Sequence, residues 1–116
     1  MADKRVVFTF NRAPFGSVYY TEGLRAAVGV ISGIDEHQVD LIYLGEGVRF
    51  ALKGVDRSDT AMYLNTLADY GYKLKVERES LTGLGIPESE LASDAEVISR
   101  SQVLELIKNA DLTIDM

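Results

Sequence analysis

The sequence predicts a three-layer α/β/α sandwich built on a mostly parallel five-stranded sheet. Strand-like runs rich in β-branched and aromatic residues alternate with amphipathic segments along all 116 residues, which is typical of a sheet with helices on both faces. The first run, residues 5–10, is almost continuously apolar, as expected of a strand covered on both sides. No repeat or linker divides the chain, so residues 1–116 are predicted to form one domain.

The first helix is predicted to follow a break at Pro14 and Gly16. Ser17 is a suitable N-cap for a helix that runs to about residue 32. Its apolar residues recur at helical spacing and form a single stripe: Tyr20, Leu24, Ala27, Val28 and Ile31.

The second strand is predicted at residues 39–44, and Gly45-Glu46-Gly47 ends it before a short helical turn at 48–52. Ser58 is the predicted cap of the next helix, because a hydroxyl followed by an acid suits the positive end of a helix. The helix is predicted to bury one stripe and to end at Gly71. That stripe consists of Ala61, Leu64, Leu67 and Ala68.

The third strand is predicted at residues 73–76, followed by a short helical turn and a loop over 81–91. The fourth strand is predicted at 96–98. Ser101 is the predicted cap of the last helix, and residues 111–116 form the fifth strand. The inward residues of that helix are predicted to be Val103, Leu104, Ile107 and Ala110.

The composition excludes several classes of function. A net charge of -6 with scattered basic residues argues against general nucleic-acid binding. The absence of cysteine excludes a disulfide framework, a thiolate metal site and a thiol nucleophile. No secretory signal is evident, and no apolar run approaches the roughly 20 residues that span a bilayer. We therefore expect a cytoplasmic protein.

Polar residues are predicted to gather where the strands end, since the carboxyl ends of parallel strands share one edge of the sheet. This rim could bind a small polar ligand or a loop of a partner, although loops are also polar simply because they are hydrated. The ligand-binding candidates are Asn11, Arg12, Glu46, Glu77, Arg78 and Ser80, with Glu79 and Arg100 beside them.

Few residues suggest catalysis. Glu46 and Glu77 could form an acid–base pair with one raised pKa, but solvated or arginine-paired carboxylates are more common. The glycines at 45–47 and 81–85 lack the spacing of a phosphate loop. His37 is the only histidine and is predicted to be a solvated loop residue, so we expect no metal and no cofactor. Among the aromatic residues, Phe15, Tyr19 and Phe50 are candidates for an intersubunit surface, with the core as the alternative.

Four stretches of the sequence form a recognisable series. They are Arg-Ala-Pro-Phe-Gly-Ser at 12–17, Thr-Glu-Gly-Leu-Arg-Ala at 21–26, Leu-Gly-Glu-Gly-Val at 44–48 and Val-Glu-Arg-Glu-Ser-Leu at 76–81 with Gly-Ile at 85–86. In their order and spacing, these stretches together resemble the DsrE/DsrF-like family, most closely its DsrF/TusC branch. The likeness extends over nearly the whole chain.

The resemblance implies a small α/β sandwich that assembles into dimers, trimers or hexamers, often of related subunits. It also implies sulfur relay, in which a cysteine accepts a persulfide sulfur and passes it on, in tRNA thiolation or in dissimilatory sulfur metabolism. The relay cysteine of the family falls on Glu77 here, and a carboxylate cannot carry a persulfide because that chemistry needs a thiolate.

We therefore expect an oligomerising, non-catalytic subunit that supports intracellular sulfur transfer by a cysteine-bearing partner. The alternative is a small-ligand-binding or enzymatic α/β domain that uses Glu46, Glu77 and Arg78. A third hypothesis is a homo-oligomer of the same fold with no link to sulfur.

Overall fold

The computed structural model describes residues 4–11, 19–32 and 37–116. Strands and helices alternate along these residues in the predicted order. The strands are β1 (Arg5–Phe10), β2 (Gln38–Tyr43), β3 (Leu74–Glu77), β4 (Ala95–Ile98) and β5 (Leu112–Asp115). The α-helices are α1 (Tyr19–Ser32), α2 (Ala61–Asp69), α3 (Arg78–Leu84) and α4 (Arg100–Lys108), and two 3₁₀ helices span Gly45–Ala51 and Glu88–Glu90.

The five strands form one parallel sheet in the order β4-β3-β2-β1-β5. Within the sheet, Phe8 of β1 lies between Leu41 of β2 and Ile114 of β5. The connection through α4 carries the chain from β4 at one edge to β5 at the other. The predicted α/β architecture and its five-stranded sheet are confirmed.

The two faces of the sheet are covered unequally. The larger core packs Val6, Phe8 and Phe10 of β1, and their counterparts on β2 and β3, against α1, α2 and Leu81 of α3. The smaller core consists of Val7, Ile42, Ile98 and Val103. Among the described elements, α4 alone contributes a helix to this second core. We call this side of the sheet the α4 face.

The 3₁₀ helix after β2 passes directly over the end of β1. A Cβ atom added at Gly47 would lie 1.8 Å from the carbonyl oxygen of Phe10, so only glycine fits this contact. The predicted stop at Gly71 is also confirmed, because its φ of +87° is a left-handed conformation that favours glycine.

The predicted cap of α2 is wrong. The helix begins at Ala61, so Thr60 holds the N-cap position. Ser58 instead donates its backbone N–H to the Asp56 carboxylate at 2.9 Å, within the turn that precedes the helix. Of the predicted stripe, Leu64 and Leu67 are buried and Ala68 is exposed.

The predicted cap of α4 is also wrong, by two residues. Ser99 caps the helix, since its Oγ accepts from the backbone N–H of Gln102 at 3.2 Å. The Gln102 side chain accepts from the Ser99 N–H in return, at 2.8 Å, which completes a capping box. Leu104 is 60% exposed rather than turned inward.

One further prediction differs from the described chain. The helical turn expected from residue 81 begins earlier, at Arg78, directly after β3. Ser17, the predicted cap of α1, lies outside the described residues. None of the described helices is long and apolar enough to cross a membrane.

Candidate functional site

Three of the parallel strands bring their carboxyl ends together at one edge of the sheet. Gly45 follows β2, Glu77 ends β3, and Arg100 follows β4 and begins α4. Since β3 lies between β2 and β4, Glu77 occupies the middle of this edge.

Glu77 is the most buried carboxylate of the predicted rim. Its neighbour Val76 lies in the larger core, so the alternation of a strand directs the Glu77 side chain to the α4 face. The residue is 5% exposed, which requires partners for its charge.

Two residues supply those partners. The Ser80 hydroxyl donates to Oε1 of Glu77 at 2.5 Å. Arg100 donates from Nε to Oε2 at 3.2 Å and from Nη2 to Oε1 at 3.1 Å, in the two-bond geometry that suits a guanidinium. Both oxygens of the carboxylate are therefore hydrogen-bonded within the chain.

The same contacts extend to the neighbouring strand ends. The backbone N–H of Gly45 donates to Ser80 Oγ at 2.8 Å, and that of Arg100 donates to a Glu79 oxygen at 2.8 Å. Gly45, Glu77, Glu79, Ser80 and Arg100 thus form one set of hydrogen bonds, here called the Glu77 network. It links the ends of β2, β3 and β4.

The Glu77 network keeps its central carboxyl ionised. Burial by itself raises the pKa of Glu77, but the hydrogen bonds from Arg100 and Ser80 and the positive charge of Arg100 outweigh burial, and the pKa lies below its usual value. In turn, the hydrogen bonds and charge of Glu77 raise the pKa of the Arg100 guanidinium. A carboxyl that serves as a general acid needs the opposite shift.

Two other predicted rim residues form ion pairs outside the Glu77 network. Glu46 pairs with Arg49 at 3.2 Å, and no described hydrogen bond joins it to Glu77, so both carboxylates follow the arginine-paired alternative rather than forming an acid–base pair. Arg78 approaches Glu88 at 3.9 Å at the surface.

Two rim candidates lie near the end of β1. The Asn11 side chain donates to the Asp115 carboxylate at 3.1 Å, so it bonds across to β5 rather than to the Glu77 network. Arg12 lies outside the described residues. Of the five ligand-binding candidates among the described residues, the structure therefore unites Glu77 and Ser80, and it adds Glu79 and Arg100 from the flanking set.

Of the three aromatic residues considered for an interface, Phe50 follows the alternative and belongs to the core. Phe50 is 9% exposed and stacks on Tyr20 with a centroid distance of 3.7 Å. The Tyr20 hydroxyl is hydrogen-bonded to that of Tyr43 at 2.9 Å in the same core. Phe15 and the side chain of Tyr19 lie outside the described part of the chain.

His37 is partly exposed and directly precedes β2. Its Nδ1 lies 3.4 Å from the backbone nitrogen of Lys4, from which it accepts a hydrogen bond. Within residues 4–11, 19–32 and 37–116, no group of three or more His, Cys, Asp and Glu side chains is arranged to hold a metal ion.

Comparison with known proteins gives a consistent result. The model of the DsrE/DsrF-like family matches residues 4–115. A protein TusC homolog of Vibrio parahaemolyticus serotype O3:K6 (strain RIMD 2210633) is 29% identical over 112 residues, which cover 91% of this chain and 93% of that protein.

Two solved structures share the fold. The ychN protein of E. coli superimposes with a TM-score of 0.82 at 20% identity, over 97% of this chain and 99% of that chain. MTH1491 of Methanobacterium thermoautotrophicum, a protein of unknown function, gives a TM-score of 0.76 at 15% identity, over 98% and 100% of the two chains.

Proposed function

The chain belongs to the DsrE/DsrF-like family, and from this we propose that it is a non-catalytic subunit that supports sulfur transfer by a cysteine-bearing partner in the cytoplasm. Family membership supports a role in sulfur relay. The finer assignment, to a subunit that does not itself carry sulfur, depends on what occupies the relay position.

The observation that carries this proposal is the environment and charge of the Glu77 carboxylate. The resemblance places the relay cysteine at this position, where the chain has a carboxylate that is buried, ionised and hydrogen-bonded on both oxygens. A persulfide forms on a thiolate sulfur, and none of the 116 residues is a cysteine. Sulfur transfer therefore requires a thiol from another chain.

The Glu77 network supports a docking role for the same edge of the sheet. It holds three strand ends in one arrangement through internal hydrogen bonds. The Arg100 side chain is 58% exposed although it is paired with Glu77. It can therefore form a further hydrogen bond to an acidic group of a partner while its ion pair with Glu77 stays in place. Such a prearranged surface suits recognition of a second subunit.

The ligand-binding alternative receives less support from the same geometry. Glu46, Glu77 and Arg78 each have an intramolecular partner of opposite charge. A polar ligand would have to replace those pairs, whereas a protein partner can bind around them.

The experiment is reconstitution with cysteine-bearing proteins of the DsrE/DsrF-like family. Native mass spectrometry of the mixture gives the stoichiometry. Transfer of ³⁵S from a desulfurase persulfide to the partner's cysteine is then followed with and without this chain. We expect a stable hetero-oligomer and faster labelling of the partner when this chain is present.

Arg100→Ala and Arg49→Ala are compared in this experiment, since each removes an arginine from an ion pair with a glutamate, which is buried in the first case and half-exposed in the second. We expect the first to weaken the hetero-oligomer and the second to leave it intact. A homo-oligomer that ignores all such partners would contradict the proposal and favour a role of this fold without sulfur.

A further inference from the structure

A depression lies on the α4 face beside the Glu77 network, since Ile98 in its lining pairs with Glu77 in the sheet. It is a groove of about 570 Å³ between α4 and the outer strands β3 and β4, within the size range of sites that hold a small molecule or a side chain. The groove is lined by Lys75, Glu96, Ile98, Ser101, Gln102, Glu105, Leu106 and Asn109.

The charge of the groove is negative. Lys75 Nζ bonds to Asp40 at 2.8 Å, so the one lysine in the lining is neutralised from within the sheet. Glu96 and Glu105 are exposed, and no cation among the described residues forms an ion pair with either of them. The groove thus presents two carboxylates without a counter-charge.

The groove also has an apolar part. Ile98 belongs to the smaller core, and Leu106 packs against that core while remaining partly open to the groove. Apolar surface beside carboxylates suits a side chain with an aliphatic stem and a cationic end, which is the chemistry of lysine and arginine.

The groove runs beside an open edge of the sheet. Among the described residues, β4 pairs with β3 alone. The Leu74 N–H donates to the Asp94 carbonyl at 2.9 Å, and in the parallel register Asp94, Glu96 and Ile98 carry the bonds to β3. Val97 therefore directs its N–H and carbonyl outward, where an added strand can bond to them.

We propose that the β4 edge and this groove bind an extended segment of a partner protein that carries lysine or arginine at alternate positions. The backbone of the segment pairs with β4 at Val97. Alternate side chains of a strand point to one face, so its cationic residues enter the groove and meet Glu96 and Glu105. This proposal does not depend on sulfur transfer.

The test uses a fluorescein-labelled seven-residue peptide of alternating threonine and lysine, with binding followed by fluorescence anisotropy. A second peptide has the same sequence with alternate backbone nitrogens methylated, which keeps the charge but prevents pairing as a strand. We expect the first peptide to bind and the methylated one to bind at least about tenfold more weakly.

Two double variants separate the groove from the general charge of the protein. Glu96→Gln with Glu105→Gln removes both groove carboxylates, and Glu22→Gln with Glu90→Gln removes two exposed carboxylates outside the groove lining. We expect the first pair to weaken peptide binding about tenfold and the second pair to change it less than twofold.

Hydrogen exchange at the Val97 amide completes the test. Exchange slowed by the peptide, and not by spermidine, supports strand addition. Equal binding of the methylated peptide would overturn the proposal in favour of a simple cation site. Equal losses in the two double variants would also overturn it, as would a Val97 amide already protected by self-association of the free protein.

Discussion

Glu77→Gln tests whether the central carboxylate stabilises the fold as an ion. Glutamine has nearly the same shape but only one acceptor oxygen, whereas Ser80 and Arg100 direct three hydrogen bonds at the carboxylate. A guanidinium has only donors, so in the variant the side-chain NH₂ of the glutamine faces an N–H of Arg100. One Arg100 hydrogen bond is thereby lost, and two donors stand opposite each other.

The expected loss is about 2 kcal/mol in the free energy of unfolding at pH 7, the size of one hydrogen bond to a charged group. Losses of about 3–5 kcal/mol follow when a buried ion is left without its partner. Here the remaining cation, Arg100, is 58% exposed and is solvated by water, so the loss falls below that range.

The assay is urea unfolding followed by circular dichroism, in which this loss lowers the midpoint by about 1–2 M. The pKa of Glu77 is lower in the folded protein than its ordinary value of 4.5. Its ionised form therefore stabilises the fold above that value, and the stabilisation disappears as the pH falls through the folded pKa. The difference between wild type and Glu77→Gln should shrink accordingly at low pH.

Glu46→Gln is the matched control. Its carboxylate also bonds an arginine at 3.2 Å, but both side chains are substantially exposed, so we expect a loss of at most about 0.5 kcal/mol. Our reasoning about Glu77 is refuted if the two variants are equally stable at pH 7. It is also refuted if the loss in Glu77→Gln stays the same at low pH.

Other predictions concern the core. Gly47→Ala should destabilise the protein by about 3 kcal/mol or more, because the new Cβ would overlap the Phe10 carbonyl, while Gly54→Ala, which has open space around it, should change stability by less than about 0.5 kcal/mol. Thermal unfolding of the two variants checks this pair, and equal melting temperatures would contradict it. Tyr43→Phe should cost about 1–2 kcal/mol in chemical unfolding, since it leaves the buried Tyr20 hydroxyl without its 2.9 Å partner, and an unchanged stability would show that the hydroxyl pair contributes nothing. Burial raises the pKa of Tyr20 to about 12 and also raises that of Tyr43 well above the ordinary value of 10.0, so stability should fall as the pH rises above about 10, where the unfolded chain ionises first. Ultraviolet titration that finds both tyrosines ionising near pH 10 in the folded protein would contradict this reading.

The fold could be predicted from the sequence because the patterns that indicate its strands and helices are local. Apolar runs such as residues 5–10 predict buried strands, and the stripe through Leu64 and Leu67 predicts the buried side of a helix. These periodicities depend on neighbours a few residues apart, and they located each strand to within one or two residues. The position of Glu77 at a strand end followed from the same reasoning.

Helix caps were less certain because several hydroxyl residues lie close together. Ser99 and Ser101 both suit a cap, and the pattern Ser99-x-x-Gln102 is the signal that distinguishes them. Before α2, Thr60 competes with Ser58, and the turn at Asp56 decides between them.

The charged partner of Glu77 was decided by tertiary structure alone. Glu77 and Arg100 are separated by 23 residues, and they meet because β3 and β4 are neighbours in the sheet and α4 begins at the end of β4. The chain also offers Arg12, Arg49 and Arg78 as cations for the same carboxylate. The choice of arginine that pairs with Glu77 depends on distances of a few ångströms in the folded chain. No local periodicity in the sequence encodes those distances.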